Sequence, residues 1–254
     1  MNTNGFIFKR IPINISVVFS IILLFSSCNT INLYETSQAN TTQPVYLGSI
    51  GSEKDFFLQK GFNSSAIPSY KNPIKLSVVT KPFNKQTYKA FTKAKGLQSA
   101  DINIHYVDSI PNRPKYIQLN IADKVAVINS LNSLENKDVK DYLSLQTYAN
   151  VLTGISLALN QKDTENITNA DAVFLIENGL KTYGLLLYKD KIKTGIISFN
   201  QGVVFAYETS NCCWQESKRH QINIVDLVDA YINCPKGTYR SAKRAKKPIN
   251  YYKL

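Results

Sequence analysis

The sequence has few of the residues that most often carry catalysis or bind metals. Its only histidines are His105 and His220, and its four cysteines include no CxxC pair. It contains no GxSxG elbow, P-loop, GxGxxG, HExxH or EF-hand pattern. The sequence therefore predicts no catalytic residue, no metal site and no cofactor, and it favours a protein that is not an enzyme.

The sequence also lacks an apolar run of the about 20 residues that a transmembrane helix needs. The longest candidate, residues 11–25, is interrupted by polar side chains and follows Lys9 and Arg10. A positively charged start, a short apolar stretch and then Ser26 and Ser27 are typical of a secretory signal rather than a membrane span. We therefore expect residues 1–27 to be removed and the rest of the chain to be soluble.

The end of this signal carries a more specific pattern. Leu24-Phe25-Ser26-Ser27-Cys28 resembles the lipobox of bacterial lipoproteins, and the richness in Asn, Lys, Ile and Tyr is similar to that of Bacteroidota lipoproteins. The resemblance implies that Cys28 is lipidated and becomes the mature N-terminus. Each buried acyl CH₂ contributes about 0.8 kcal/mol, so two or three chains would anchor the protein to the membrane. The alternative is an ordinary signal peptide cleaved nearby, with Cys28 incidental.

The residues after Cys28 favour one location within a bacterial envelope. Asn29 is not the aspartate that signals inner-membrane retention in enterobacterial lipoproteins, so the resemblance implies the outer membrane. The acidic cluster that resembles a surface-export signal in Bacteroidota lipoproteins is missing, with only Glu35 nearby. The similarity therefore implies an anchor on the periplasmic side rather than on the cell surface.

The net charge predicts the kind of partner. The full chain carries +12, and loss of Lys9 and Arg10 with the signal lowers this charge by two. Hydrophobic residues make up 44%, which is typical of a globular protein. In an envelope, the polyanions within reach of a basic protein are anionic lipid, lipopolysaccharide and acidic envelope proteins. We expect these partners, together with the membrane itself, and no nucleic acid.

Three cysteines besides Cys28 predict one disulfide. An exported protein meets oxidising conditions, and Cys212 or Cys213 can close a loop with Cys234. Such a loop of roughly 20 residues is worth about 3 kcal/mol in the chain-entropy model, and one thiol is left over. A strained Cys212–Cys213 bridge, a catalytic thiol near His220 and a metal site formed by these cysteines with His220 are the less favoured alternatives.

The composition along the chain predicts four parts. Residues 1–27 form the signal peptide, and residues 28–72 form the lipidated cysteine with a flexible tether and loop region, including one helical turn near residues 54–58. Residues 73–235 form a globular domain, and residues 236–254 form a basic tail. Glycines and prolines punctuate the second part, which favours loop there.

The domain is predicted to be α+β, an antiparallel meander with a few short helices packed on one face. Four β-rich segments separated by short polar breaks predict the meander, namely 172–176, 182–188, 193–199 and 203–208. Further strands are predicted at 74–80, 102–107, 116–121 and 151–159. Helices are predicted at 84–95, 124–134 (with a strand as the alternative), 137–145, 164–170 (helix or loop) and 222–231.

The C-terminus is the second distinctive feature. Between residues 236 and 254 there are seven basic residues and no acidic one. Arg240, Lys243, Arg244 and Lys247 are spaced so that a helix would place all four on one face. We expect this face to bind an anionic surface or partner. The alternative is a solvated tail, or one whose Tyr251-Tyr252 end docks back on the domain.

The remaining candidate groups do not form a recognisable active site. His105, Asp108 and Ser109 resemble a triad only superficially, because the first two would point to opposite faces of a strand. Asp226 and Asp229 would share one helix face as solvated acids. The favoured function is a non-catalytic binding or assembly protein. A further possibility is a component of a larger envelope machine, in which case the domain alone would be inert. The alternative is an envelope-polymer hydrolase with an unidentified active site.

Overall fold

The computed structural model describes residues 38–56, 59–108 and 113–246. They belong to one compact unit, Ser37–Leu254. The predicted signal peptide, the predicted lipidation site Cys28, Ser109 and Lys247 lie outside the described residues. The predictions made for them therefore stay predictions.

Eleven strands and five short α-helices make up the described residues. The strands are β1 (Ala39–Asn40), β2 (Ile50–Phe56), β3 (Gln59–Ala66), β4 (Ile74–Pro82), β5 (Lys115–Ile121), β6 (Asn150–Ala158), β7 (Ala172–Glu177), β8 (Tyr183–Lys189), β9 (Ile192–Ser198), β10 (Val203–Glu216) and β11 (Ile222–Asp229). The helices are α1 (Lys85–Lys95), α2 (Lys124–Leu131), α3 (Lys137–Leu145), α4 (Gln161–Thr168) and α5 (Ala242–Ala245). Short 3₁₀ turns occupy Leu134–Asn136 and Phe199–Gln201. The fold is broadly α+β, as predicted, with a large antiparallel sheet and few helices.

The sheet has the strand order β1-β10-β6-β5-β4-β7-β8-β9, with β11 paired to β10 and β2 paired to both β3 and β6. Of the four strands predicted to form the meander, β7, β8 and β9 do so and β10 does not, so that prediction is wrong in its last strand. β10 instead pairs with β6 through Val203–Ser210 and with β11 through Ser210–Glu216. Nearly all of its 14 residues are buried or half-buried, and burial of its backbone requires hydrogen-bonding neighbours along both edges.

Local signals explain the elements that agree with prediction. α1 begins at the N-cap Asn84, whose side chain accepts the Thr87 N–H while Thr87 Oγ1 accepts the Asn84 N–H. α2 begins where Asp123 accepts the Ala126 N–H, so the helical interpretation of this segment is confirmed over the strand. α3 matches its predicted residues, and α2 ends at Leu131, after which the C-cap Asn132 N–H donates to the Ile128 carbonyl.

The segment before residue 73 differs from its prediction. In place of a loop with a helical turn, it contains the β2–β3 hairpin, and Ile50 of β2 lies opposite Val151 of β6. Leu47 and Ile50 are fully buried, and Phe62 is 1% exposed. These side chains complete the core beside the edge of β6. The composition of the segment, rich in glycine and polar residues, predicts a loop and does not indicate this burial. The folded part therefore begins well before residue 73.

Two other predicted elements are also wrong. Residues 222–229 form strand β11 instead of a helix, because they pair along β10 and bury Ile224 and Leu227. Residues 102–107 are irregular instead of a strand. Ile102 is 3% exposed, and Tyr106 stacks on Tyr88 of α1 with ring centroids 4.8 Å apart. Tyr88 Oη also donates to the Ile104 carbonyl at 3.3 Å, so side-chain contacts with α1 hold this segment.

The sheet carries hydrophobic clusters on both of its faces. The main core contains Ile117 of β5 with side chains of α2, α3 and α4. A second, aromatic cluster contains Tyr116, the preceding residue of the same strand. It packs there with Phe83, which precedes α1, and with Phe91 of α1. Because successive side chains of a strand point to opposite faces, α1 lies on one face and α2 to α4 on the other. The prediction of helices on a single face is therefore wrong.

Candidate functional site

The predicted disulfide joins Cys213 of β10 to Cys234, just beyond β11. Its Cα atoms are 5.7 Å apart, and it closes a loop with a sequence separation of 21. Cys212 is the thiol left over, and it is buried. Burial raises the pKa of the Cys212 thiol to about 12, so the thiol stays protonated and is a poor nucleophile. The pairing that the sequence left open is thus settled in favour of Cys213.

The disulfide begins a C-terminal segment that is held against the sheet. The backbones of Trp214 and Tyr239 exchange two hydrogen bonds, of 2.7 and 2.9 Å. Arg240 Nη2 donates to the carbonyls of Ala230 at 3.0 Å and Ile232 at 2.7 Å. Residues 236–246 are therefore docked on β10 and β11, not a solvated tail.

The predicted basic helix is only partly present. Helix α5 has four residues, and its Ala242 and Ala245 are buried while Lys243 and Arg244 are exposed. Arg240 precedes this helix and is held by the carbonyls described above. The predicted single face of four basic residues therefore does not form among the described residues, because the helix begins after Arg240 and ends at Ala245, where Lys246 has extended backbone.

The docked segment nevertheless presents positive charge outward beside exposed apolar side chains. Tyr231 is 91% exposed, Ile232 is 54% exposed and Tyr239 is 45% exposed. No acidic residue occurs between residues 230 and 246. We call this region the C-terminal basic surface, and its members are Lys236, Arg240, Lys243, Arg244 and Lys246 with Tyr231, Ile232 and Tyr239.

The surroundings of the two histidines differ from a catalytic arrangement. His105 is exposed in the irregular segment, and neighbouring Asp108 accepts from Tyr106 Oη at 2.7 Å and pairs with Arg113 at 3.1 Å. His220 Nδ1 lies 3.0 Å from Glu216. Neither histidine is brought to a described serine or thiol as a nucleophile–base pair.

The carboxylates of β11 are also separated. Asp226 and Asp229 were expected on one helix face, but three residues apart on a strand they point to opposite faces. Among residues 38–56, 59–108 and 113–246, no three His, Cys, Asp or Glu side chains gather as a metal site. No described helix is both long and apolar enough to cross a membrane.

One polar cluster was missed by sequence reasoning. On one face of the central strands, Gln118 lies opposite Ser156, and Asn120 lies opposite Gly154, which in turn lies opposite Glu208. Gln118 is 8% exposed and Ser156 is 3% exposed, so these are polar side chains within the folded body. The only sequence signal was the regular alternation of polar and apolar residues in β5, which equally suits a solvated face.

The geometry of this polar cluster depends on Gly154. A Cβ atom at Gly154 would lie 2.4 Å from Asn120 Oδ1 and 3.1 Å from Glu208 Oε2, so glycine alone lets these two oxygens approach. Ser156 Oγ donates to Gln38 Oε1 at 2.5 Å, while Gln38 Nε2 and Asn120 Oδ1 are buried without a hydrogen-bond partner. The cluster can bind polar groups, but it contains one carboxylate, whereas glycoside hydrolysis needs two.

Comparisons with protein-family models, with curated proteins and with solved structures find no match to this chain.

Proposed function

We propose that the protein is a membrane-anchored envelope lipoprotein that binds or assembles other envelope components without catalysis. Cys28 carries the lipid, and the periplasmic side of the outer membrane is the proposed location. The C-terminal basic surface contacts an anionic partner, which is anionic lipid, lipopolysaccharide or an acidic envelope protein. The observation that carries this proposal is the docking of residues 236–246, which presents exposed cations on a held segment.

Electrostatics supports an anionic partner for this surface. Near an anionic bilayer, each Lys or Arg close to the surface contributes about 1 kcal/mol. Lys243, Arg244 and Lys246 are exposed, and no carboxylate in residues 230–246 competes for them. Their attraction is therefore available to phosphate or carboxylate groups of a partner.

Ordering of the segment before binding also supports the proposal. The Cys213–Cys234 disulfide and the Trp214–Tyr239 hydrogen bonds restrict the backbone that carries these side chains. A flexible tail would lose that freedom on binding, which opposes association, whereas a docked segment has already lost it on folding. The exposed Tyr231 and Tyr239 add amphipathic rings that suit a boundary between apolar and polar surroundings.

The anchor is tested by intact mass and membrane fractionation of the wild-type chain and Cys28→Ala, both expressed in a bacterium. A diacylated or triacylated Cys28 with outer-membrane partitioning, lost in Cys28→Ala, is the expected result. An unlipidated, soluble product from both chains would remove the anchor from the proposal.

The basic surface is tested by reversing two of its charges, Lys243→Glu with Arg244→Glu. Binding to lipopolysaccharide micelles and to phosphatidylglycerol vesicles should fall by about tenfold or more. Lys89→Glu with Lys93→Glu is the matched control, because both lysines are exposed on α1 and the net charge changes equally. Equal loss from both double variants would show that net charge alone drives binding, and no C-terminal site would remain.

A further inference from the structure

Strands β7, β8 and β9 carry apolar side chains that belong to neither hydrophobic cluster. Phe174 of β7 lies opposite Leu186 of β8, which lies opposite Ile196 of β9. Residues directly opposite each other on antiparallel strands share one face of the sheet, so these three side chains form a row. Ile176 and Tyr188 lie on the same face, two residues along their strands. We call this set of five residues the outer apolar face.

The other side of the same strands is buried in the main core. Leu175, Leu185 and Leu187 alternate with the members of the outer apolar face and are all in that core. The described α-helices make their main strand contacts with β5, β10 and β11, not with β7, β8 or β9. Among the residues that the structure describes, no helix therefore packs mainly on the outer apolar face.

The side chains of the outer apolar face differ in their exposure to solvent. Ile196 is 39% exposed, Phe174 and Tyr188 are half-buried, and Leu186 in the middle of the row is 7% exposed. The rings of Phe174 and Tyr188 meet edge to face, with centroids 5.7 Å apart. Leu186 has Phe174 and Ile196 directly beside it in the row.

Lysines border the face on two sides. Lys75 of β4 lies opposite Phe174, and Lys193 of β9 lies opposite Tyr188, so both start from the same face of the sheet. Both are exposed, as are Lys189 and Lys191 at the β8–β9 turn. Lys75 and Lys193 thus flank the apolar centre, and Lys189 and Lys191 add positive charge at the end of the hairpin beside it.

The carboxylates of β7 and of the β8–β9 turn do not lie among the side chains of the outer apolar face. Asp171 and Asp190 are at the end of the β8–β9 hairpin, where Asp171 Oδ2 accepts the Asp190 N–H at 2.6 Å. Glu177 lies opposite Tyr183 on the core side and accepts from Ser69 Oγ at 2.8 Å. A second copy of the chain would bring lysines against lysines with no acid on the face between them, which opposes self-association.

We propose that the outer apolar face docks on an anionic lipid surface. Phosphate groups of the lipid pair with Lys75 and Lys193, while Phe174, Tyr188 and Ile196 enter the boundary between headgroups and acyl chains. The inference rests on the proposed function in one respect. A lipid on Cys28 would keep a bilayer close to this face, because Cys28 lies only ten positions before Gln38, the first described residue.

The test uses a chain that begins at Ser37, because Ser37–Leu254 is a compact unit with its own core and lacks the predicted signal and lipid. Co-sedimentation with phosphatidylcholine vesicles containing about 30% phosphatidylglycerol measures binding, and pure phosphatidylcholine vesicles are the reference. We expect binding to the anionic vesicles only. Lys75→Glu with Lys193→Glu should lower it about tenfold or more, against little change for Lys89→Glu with Lys93→Glu.

Phe174→Ser with Ile196→Ser tests the apolar part at unchanged charge. This double variant should also bind the anionic vesicles less tightly, by about tenfold, because the apolar contact is lost while the lysines remain. A cooperative thermal transition shows that each variant is folded before its binding is measured. Binding that survives both the Lys75/Lys193 and the Phe174/Ile196 changes would overturn the inference.

Two further results separate this inference from the proposed function. Loss of vesicle binding only in Lys243→Glu with Arg244→Glu would overturn the docking of the outer apolar face and leave the proposed function standing. Concentration-dependent dimers in sedimentation, abolished by Phe174→Ser with Ile196→Ser, would assign the face to a second copy and also overturn the inference. Failure of Cys28 lipidation does not change the vesicle measurement, because this chain does not contain Cys28.

Discussion

Strands β11 and β9 both have an outer edge, and the structure treats the two edges differently. Along β11, the Asn132 side chain donates to the Ile224 carbonyl at 2.7 Å and accepts the Ile224 N–H at 3.1 Å, as a neighbouring strand would. Lys124 Nζ donates to the Leu227 carbonyl of the same strand at 3.2 Å. Side chains from α2 and its C-terminal end therefore close this edge.

β9 has no such closure among the described residues. It pairs with β8 alone, and its ladder shifts register between Leu187 and Tyr188 of β8. An exposed Lys193 and the register shift are devices by which edge strands avoid unwanted pairing. The comparison teaches that side chains of α2 and its C-terminal end hydrogen-bond to the outer edge of β11. The outer edge of β9, in contrast, is protected from unwanted pairing by a lysine and a register shift. We call the β11 end the sealed end.

The largest effect should come from removing the covalent link at the sealed end. Cys213→Ala with Cys234→Ala should lower the free energy of unfolding by about 3 kcal/mol, because the unfolded chain gains the freedom of the opened loop. Urea denaturation with and without reductant measures this change. Cys212→Ala is the control, since its thiol is not in the bond, and reductant should lower its stability as it does that of the wild-type chain. A double variant as stable as the oxidised wild-type chain would contradict the prediction.

An Ile→Thr substitution in β11 and the same substitution in β9 compare how well the two edge strands are packed. Ile224→Thr should lower the free energy of unfolding by about 2 kcal/mol, because a buried ethyl group is replaced by a hydroxyl at a site that is 1% exposed. Ile192→Thr at the β9 end should change it by less than about 0.5 kcal/mol, since Ile192 is 68% exposed. Equal losses in thermal or urea unfolding would show that the β9 end is as well packed as the β11 end.

Opening the sealed edge should have a smaller but localised effect. Asn132→Ala leaves the Ile224 N–H and carbonyl without their partners and should cost about 1.5 kcal/mol. Amide hydrogen exchange of Ile224 should quicken more than that of Leu185 in β8. Asn103→Ala is the control, because Asn103 is exposed and accepts only from Lys95 Nζ. Unchanged exchange at Ile224 would mean that Asn132 does not close this edge.

The smallest effect is expected from an exposed ion pair away from both edges. The Lys71 ammonium, which donates to Glu135, lowers the pKa of that carboxyl from 4.5 to about 2, helped by a backbone hydrogen bond and by Ser133. A lowered folded-state pKa contributes stability above pH 4.5 that is lost as the pH falls toward 2. Lys71→Met should flatten this part of the stability–pH curve slightly, and added salt should have the same effect. Lys89→Met should leave the curve unchanged.

Local elements followed from the sequence because their causes lie within a few residues. Asn84 and Thr87 supply the cap of α1, and Asp190 and Lys191 adopt the positive φ values of 51° and 65° that a tight hairpin needs. The one-disulfide prediction also held, since only two cysteine choices could close the loop with Cys234. For the candidate site, the presence of exposed basic residues near the C-terminus was predictable, but their docking was not.

Other features escaped prediction because distant segments decide them. The apolar spacing of residues 222–229 suits a helix or a strand, and pairing with β10 selects the strand. Residues 102–107 alternate like a strand, yet no partner strand lies beside them, so they pack by side chains on α1. The polar cluster above Gly154 needs three strands in register before Asn120 and Glu208 can meet.

The sequence by itself determined the predicted export signal, the net charge, the capped helices and the β7–β9 hairpins, since each depends on composition or on neighbours along the chain. Only the tertiary structure decided that Cys213 pairs with Cys234, that residues 236–246 dock on the sheet, and that the outer apolar face lies outside both hydrophobic clusters of the described residues. The physical reason is that burial and strand pairing are contacts between residues far apart in sequence, and a periodic pattern does not say which distant surface will meet it.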